Sequence, residues 1–265
     1  MWHIFLVISI ICLYIFLVSP KLIGRNSLKH YGRYFAHRGL HDENTPENSL
    51  AAFIKAAEKG YGIELDVNLS KDNVPVVFHD YSLERLCGIK GKVKDYTYDE
   101  LSRFKLSGTD ESIPSLDYVL TLLEGKAEFL IELKTISSYT LLCEKTAEVL
   151  KRHNGKFIIQ SFNPFMLKWF RKNMPSIPRG QLISRHLISG GIARSTAACI
   201  VASLTLNFTS RPDFICIHHE NINTYIHIIP KLFLSPFAFW TVENRNDAER
   251  LEKKGKIIIF EGFEP

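Results

Sequence analysis

The sequence predicts an α/β domain built on a mainly parallel sheet, and three observations lead there. Short apolar runs rich in Ile, Val and Phe alternate with segments of helical period from residue 34 to residue 260. There are nine such runs, and two of them, 62–69 and 74–79, are joined by only Ser70-Lys71-Asp72-Asn73. That link is too short for a parallel crossover, so the two should form an antiparallel hairpin. Counting the hairpin as one excursion leaves eight parallel strands, the number that closes a barrel. The rhythm alone fits an open doubly wound sheet as well; the count points to the barrel.

Taken in order, the chain opens with "MWHIFLVISIICLYIFLVS", 19 residues without Lys, Arg, Asp or Glu. That approaches the roughly 20 residues needed to span a bilayer. A cleaved signal peptide would start basic and end in a small-residue site. Here the basic residues Lys21, Arg25, Lys29 and Arg33 follow the apolar run instead. The expectation is a single transmembrane helix over 1–20 and a basic linker over 21–33. Positive charge after the helix predicts that the following domain, 34–265, faces the cytoplasm. The linker charges suit anionic lipid, with a plain solvated linker as the competing reading.

Predicted strands are 34–38, 62–69, 74–79, 128–134, 156–161, 180–184, 213–218, 236–242 and 256–260. Helical period fills 49–59, 115–124, 138–153, 164–172 and 246–254. A hairpin turn centred between Lys71 and Asp72 would set Glu64 opposite His79. The stretch 81–113 fits neither pattern and reads as an insertion, in position to cap a site.

Composition narrows the class. Hydrophobic content of 46% and charged content of 23% suit a globular chain and not a disordered one. The net charge of +5 suits anionic partners, and the absence of an arginine-rich run argues against nucleic acid. Cys12, Cys87, Cys143, Cys199 and Cys216 form no CxxC pair, so buried free thiols in a reducing compartment are expected and no zinc site is. Oligomeric state is not legible.

Chemistry concentrates where acids interrupt apolar runs, in "GIELDVN" and "FLIELKT". An unpaired carboxylate buried there is costly. Period-2 alternation sets Glu64 and Asp66 on one strand face, and Glu132 and Lys134 on one face of another. In a barrel that face is the interior, toward the C-terminal mouth. Glu64, Asp66 and Glu132 converging there would offer hard oxygen ligands to Mg2+ or Ca2+. Alternatively, the acids pair with Arg38 and Lys134 as buried ion pairs. His37 and His79 favour the first reading, because each ends a strand beside a charged neighbour. Two imidazoles around a cation, with two cationic side chains, suit phosphoryl chemistry. One would take a proton from the nucleophile and the other would protonate the leaving alcohol, while Arg38 and Lys134 neutralise phosphate oxygens.

The segments "AHRG", "PENS", "ELDVNLSKDNVPVVFHD", "IELK", "QSF" and "FWTV" occur in this order, and together the chain resembles the glycerophosphodiester phosphodiesterase family. The resemblance implies a (β/α)8 TIM barrel with an insertion after the His79 strand, and hydrolysis of glycerophosphodiesters to glycerol 3-phosphate and an alcohol. It implies attack through the neighbouring glycerol hydroxyl before water completes the reaction. His37 and His79 match the family's acid/base pair, Arg38 and Lys134 its phosphate contacts, and Glu64, Asp66 and Glu132 its divalent-metal ligands. Glu47 matches a site-associated acid, Trp240 an aromatic lining the mouth, and Phe162 a second such aromatic.

Two departures from the family pattern stand out: Glu243 precedes Asn244 after "WTV", and the final strand reads "KIIIFEGFEP", so that the usual acid is either missing or displaced to Glu261. Three functions compete: a membrane-anchored glycerophosphodiesterase, a lysophospholipase D-like enzyme whose anchor keeps the mouth near lysolipid, and a non-catalytic anchored binding protein. His218-His219 is not expected to ligate metal, since neighbours on a strand face opposite ways. His41, His153, His186 and His227 are expected to have other roles. Phe165, Trp169 and Phe170 read as helix packing, and Gly190-Gly191 as a turn.

Overall fold

Eight parallel strands close into a barrel in this computed structural model, which describes residues 2–21, 27–134, 139–183, 204–220 and 233–265. The strands are β1 (Tyr34–Ala36), β2 (Gly62–Leu69), β4 (Glu128–Leu133), β5 (Lys156–Ser161), β6 (Arg179–Ile183), β7 (Phe214–His218), β8 (Phe237–Val242) and β9 (Ile257–Phe260). β1 pairs with both β2 and β9, so the ring has no open parallel edge. β3 (Pro75–Val77) is the excursion, antiparallel to β2. His186, Gly190, Gly191, Cys199 and His227 lie outside the described residues.

Alternation along each strand separates two cores. One residue set, including Ile63, Leu65, Val67 and Ile131, faces the helices; the other, including Phe35, Leu130, Ile158, Phe214 and Ile257, fills the barrel. Helices α2 (Leu50–Glu58), α5 (Leu116–Leu122), α6 (Tyr139–Leu150), α7 (Pro164–Asn173) and α9 (Arg245–Glu252) cover the outside. They start where their sequences carry caps. Ser49, Ser115, Asn163 and Asn244 each accept a backbone N–H from the first turn. Residues 27–33 of the segment read as a basic linker close the barrel floor: Leu28 is buried in the inner core, and the Tyr31 hydroxyl donates to the Phe157 carbonyl at 3.0 Å.

Three expectations need correction. The hairpin register is one residue off, because Val67 faces Val77 and not Val76, so Glu64 does not fall opposite His79. Asn73 takes a positive φ of 63° and adds a residue to the turn, a conformation that asparagine tolerates. The insertion is not irregular throughout. Two short helices, α3 (Glu84–Cys87) and α4 (Tyr98–Leu101), flank a single 3-10 turn and share a small core of Leu83, Leu86, Val93, Leu101 and Leu106.

The third concerns the N-terminus. Helix α1 (Trp2–Val18) is 17 residues long and ends where the Ser19 hydroxyl turns back onto the Phe16 carbonyl, just before Pro20. Among the described residues no helix is long and apolar enough to cross a membrane. The expected bilayer-spanning helix over 1–20 is thus replaced by a shorter apolar one. Its foot packs on α8 (Asn207–Ser210), with the Asn207 amide donating to the Val18 carbonyl at 2.9 Å. Of the thiols, Cys143 and Cys216 are buried, Cys87 is half-buried and Cys12 is exposed, so the expected burial holds for only some of them.

Candidate active site

The residues that fill the lower barrel are apolar, and the same inward-facing rows turn polar toward the C-terminal ends of the strands. Phe35 gives way to His37, Gly62 to Glu64 and Asp66, Leu130 to Glu132, Ile158 to Gln160, and Ala238 to Trp240. In parallel barrels this end carries the site.

Glu64, Asp66 and Glu132 are buried and each offers an oxygen within 4.8 Å of the others. Lys134, just past β4, donates to Glu132 Oε1 at 2.8 Å and to Asp66 Oδ1 at 3.3 Å. Arg38 Nε lies 3.5 Å from Asp66 Oδ2. The ion-pair reading therefore accounts for Asp66 and Glu132 but not for Glu64. Among the described residues, Glu64 receives only the Arg38 backbone N–H at 3.1 Å and the Gln160 side-chain amide at 3.2 Å. Burial, then the Asp66 carboxylate, pushes the Glu64 carboxyl up to about 8. Burial works against Asp66 too, but Lys134, His79 and Arg38 hold its carboxyl well below the usual range. Three buried carboxyls thus share too little positive charge. A divalent cation fits this donor set: all hard oxygens, with the buried Gln160 Oε1 beside Glu64 lacking a partner among the described residues.

The loop after β1 is shaped to present its groups. Arg38 adopts a left-handed φ of 54°, which aims its N–H at Glu64. Gly39 follows at φ 81°, where an added Cβ would sit 2.8 Å from the Ala52 Cβ; only glycine fits. In "PENS" each polar residue has its own task. Glu47 accepts from Arg38 Nη1 at 2.7 Å. Asn48, fully buried at φ 55°, donates to Asp66 Oδ2 at 2.9 Å and accepts the Asp66 N–H at 3.3 Å. Ser49 caps α2.

Both histidines are oriented by carboxylates. His37 Nδ1 bonds Glu261, which follows β9. That contact holds the Glu261 carboxyl down to about 2; burial would lower the His37 pKa, yet Glu261 and Glu64 raise it. His79 Nδ1 lies 2.6 Å from Asp80, whose other oxygen accepts from Arg85 Nε at 2.6 Å. Arg85 also holds Glu47 through two bonds of 2.7 and 2.9 Å. The two imidazoles flank the acids: His37 acts electrostatically on Glu64, and His79 on Asp66. Phe162 and Trp240 meet edge to face at 5.8 Å, and the indole N–H of Trp240 is buried without a partner among the described residues.

All ten residues singled out in the sequence (His37, Arg38, Glu47, Glu64, Asp66, His79, Glu132, Lys134, Phe162 and Trp240) come to this end of the barrel. Sequence reasoning missed Asn48 and Gln160, though both lie in the quoted motifs, and Arg85, which had no signal within its insertion. Strand alternation does not govern His218-His219, because only the first of the two lies in a strand. β7 ends at His218, and the two rings stack at 5.1 Å. Among the described residues, the acid triad is the one group of three or more His, Cys, Asp or Glu that could hold a metal ion.

A sequence model described as the glycerophosphoryl diester phosphodiesterase family matches residues 37–206. A glycerophosphodiester phosphodiesterase of Caldanaerobacter subterraneus subsp. tengcongensis is 32% identical over 243 residues, spanning 83% of this chain and 89% of the relative. In fold, the chain is similar to an Oleispira antarctica phosphodiesterase solved with the product sn-glycerol-3-phosphate. That likeness has a TM-score of 0.72 and 24% identity, covering 89% of this chain and 94% of the other. A Thermotoga maritima glycerophosphodiester phosphodiesterase aligns with a TM-score of 0.67 and 25% identity, covering 87% of this chain and 95% of that one.

Proposed function

The chain belongs to the glycerophosphoryl diester phosphodiesterase family and is a phosphoric diester hydrolase, and from that premise we propose that it cleaves glycerophosphodiesters to glycerol 3-phosphate and an alcohol with His37 and His79 as the acid/base pair. The observation that carries the proposal is the buried acid triad flanked by two carboxylate-oriented imidazoles. Glu64, Asp66 and Glu132 would hold a divalent cation, Mg2+ or Ca2+. When bound, it supplies positive charge to the phosphate oxygens.

The chain's own groups do the rest. Arg38 and Lys134 bind the phosphate, each already held in place by the acids beside it. The imidazoles divide the two proton transfers: one accepts the proton of the attacking hydroxyl, and the other donates to the departing alcohol. Each returns to its starting state in the second step, when water replaces the glycerol hydroxyl as nucleophile. Glu261 and Asp80 fix the Nδ1 side of each ring and leave Nε2 for the proton. The Phe162–Trp240 pair lines the mouth, and the free indole N–H is a donor for an oxygen of the substrate. A non-catalytic binding protein would have no use for two such oriented imidazoles.

The test is turnover of glycerophosphocholine by the wild type and His37→Ala, with and without EDTA. The proposal requires glycerol 3-phosphate from the wild type with Mg2+ or Ca2+, and its loss on chelation or substitution. A wild type inert toward every glycerophosphodiester tried with either ion would sink it.

A further inference from the structure

The N-terminal helix joins the barrel at the end opposite the mouth. Its foot lies against the segments that lead into β6 and β7: the Lys21 N–H donates to the Pro212 carbonyl, and Arg211 Nη1 donates to the Ser19 carbonyl at 2.7 Å. Arg179 and Phe214 begin their strands there, whereas Gln160, His218 and Trp240 stand at the far ends. This attachment sets the helix foot away from the mouth, whereas the sequence predicts an anchor that keeps the mouth beside a lipid surface.

This end has two features that the hydrolytic site does not use. Helix α1 is apolar on every side, and within it only Val18 is buried; Trp2, Phe5, Leu6, Ile10 and Leu13 all face outward. A helix of that composition needs an apolar surrounding. At its foot opens a cavity of about 850 Å³ lined by Phe16 and by the cationic Lys21, Arg171, Arg179 and Arg211. Asp213 pairs with Lys21 at 2.8 Å and with Arg179 at 3.1 Å. Among the described residues Arg171 and Arg211 have no carboxylate partner; their hydrogen bonds go to carbonyls and the Ser19 hydroxyl. Arg211 also lies over the Phe16 ring at 4.7 Å, and the nearby charge of Arg171, second to burial, lowers its pKa.

We propose that α1 and this cationic cavity together form a docking surface for an anionic lipid layer, with the headgroup phosphates in the cavity and the catalytic mouth turned toward water. The chemistry is complementary at two depths. At about 1.5 Å per residue the helix reaches about 25 Å, into but not across the roughly 30 Å of hydrocarbon. Two unneutralised guanidiniums then stand at headgroup level, where phosphate is the matching ligand. A second copy packed through the same end would set arginine against arginine. On the reading of the mouth as a glycerophosphodiesterase, the consequence is a preference for water-soluble diesters over lysolipid in the docked layer; the docking itself does not rest on that reading.

Flotation of the full chain with phosphatidylcholine vesicles, plain or mixed with phosphatidylglycerol, tests the cationic half. Tighter binding to the anionic vesicles is expected. Arg171→Gln should weaken that binding about fivefold, Arg171→Lys should restore it, and neither should alter binding to plain vesicles. Brominated lipid tests the orientation. A Trp169→Phe, Trp240→Phe variant, which keeps Trp2, should be quenched; a Trp2→Phe, Trp169→Phe variant, which keeps Trp240, should not. Equal binding to both vesicle types, an unaffected Arg171→Gln, self-association that excludes vesicles, or quenching of Trp240 as strong as that of Trp2 would overturn the proposal. None of these readouts involves turnover, so they stand or fall separately from the hydrolytic assignment.

Discussion

Replacing Asn48 by alanine should loosen the acid triad proposed to hold the cation without touching one of its members. Its side chain makes two bonds with Asp66, at 2.9 Å to the carboxylate and 3.3 Å from the N–H, and it is fully buried at φ 55°. A hydrogen bond to a charged group contributes about 1.5–3 kcal/mol. Holding alanine in the left-handed region costs about 1–2 kcal/mol more. Asn48→Ala should therefore lose about 2.5–5 kcal/mol, a large share of a domain's stability. Asn48→Gly removes the same bonds but tolerates the backbone, so it should be the less harmful of the two by about 1 kcal/mol. Urea unfolding followed by circular dichroism in mild detergent gives both values, and calorimetric titration with Ca2+ gives the affinity of the loosened Asp66. Both variants within about 0.5 kcal/mol of wild type, the range of an ordinary surface substitution, with unchanged Ca2+ affinity, would refute the role given to this residue.

Three further outcomes are expected. Glu261→Gln removes the carboxylate that raises the His37 pKa, so the limb of the kcat/KM pH profile that reports His37 should move to lower pH; a limb that stays put or moves upward contradicts the pairing. For stability the same pair works in a defined window. The His37 contribution is complete below its ordinary pKa of 6.5 and is lost as pH rises through the raised value. The Glu261 contribution is complete above 4.5 and is lost as pH falls toward about 2. The destabilisation by Glu261→Gln should thus be greatest between about pH 4.5 and 6.5 in denaturant titrations. His79→Ala should lower kcat about 10²- to 10⁴-fold while Ca2+ titration is little changed, because its ring is no member of the acid group. Ser49→Ala, which removes the cap of α2, should cost about 1 kcal/mol in urea unfolding.

Most of the barrel was legible because period-2 alternation is a local property. It identified the inward faces of β2 and β4, and with them Glu64, Asp66, Glu132 and Lys134, before any contact was known. What escaped depends on closure or on single dihedrals. The hairpin register turned on Asn73 at φ 63°, which no pattern of apolar residues encodes. Glu261 reaches His37 only because β9 closes onto β1, a contact that its place in the final strand's sequence does not reveal. Arg85 comes from an insertion whose small core forms through contacts between Val76, Leu83 and Ile113, and nothing nearby in sequence ties it to Glu47. The foot of α1 was hidden in the same way, since Asn207 and Arg211 hold it from 189 and 192 residues away.

The central claim is that one divalent cation sits among Glu64, Asp66 and Glu132 with the phosphate between His37 and His79. A crystal structure with Ca2+ and glycerol phosphate tests it most directly. It should contain one ion bound by all three carboxylates, with the phosphate within reach of Arg38, Lys134 and both imidazoles. An ion bound elsewhere, or a phosphate away from either histidine, would contradict it.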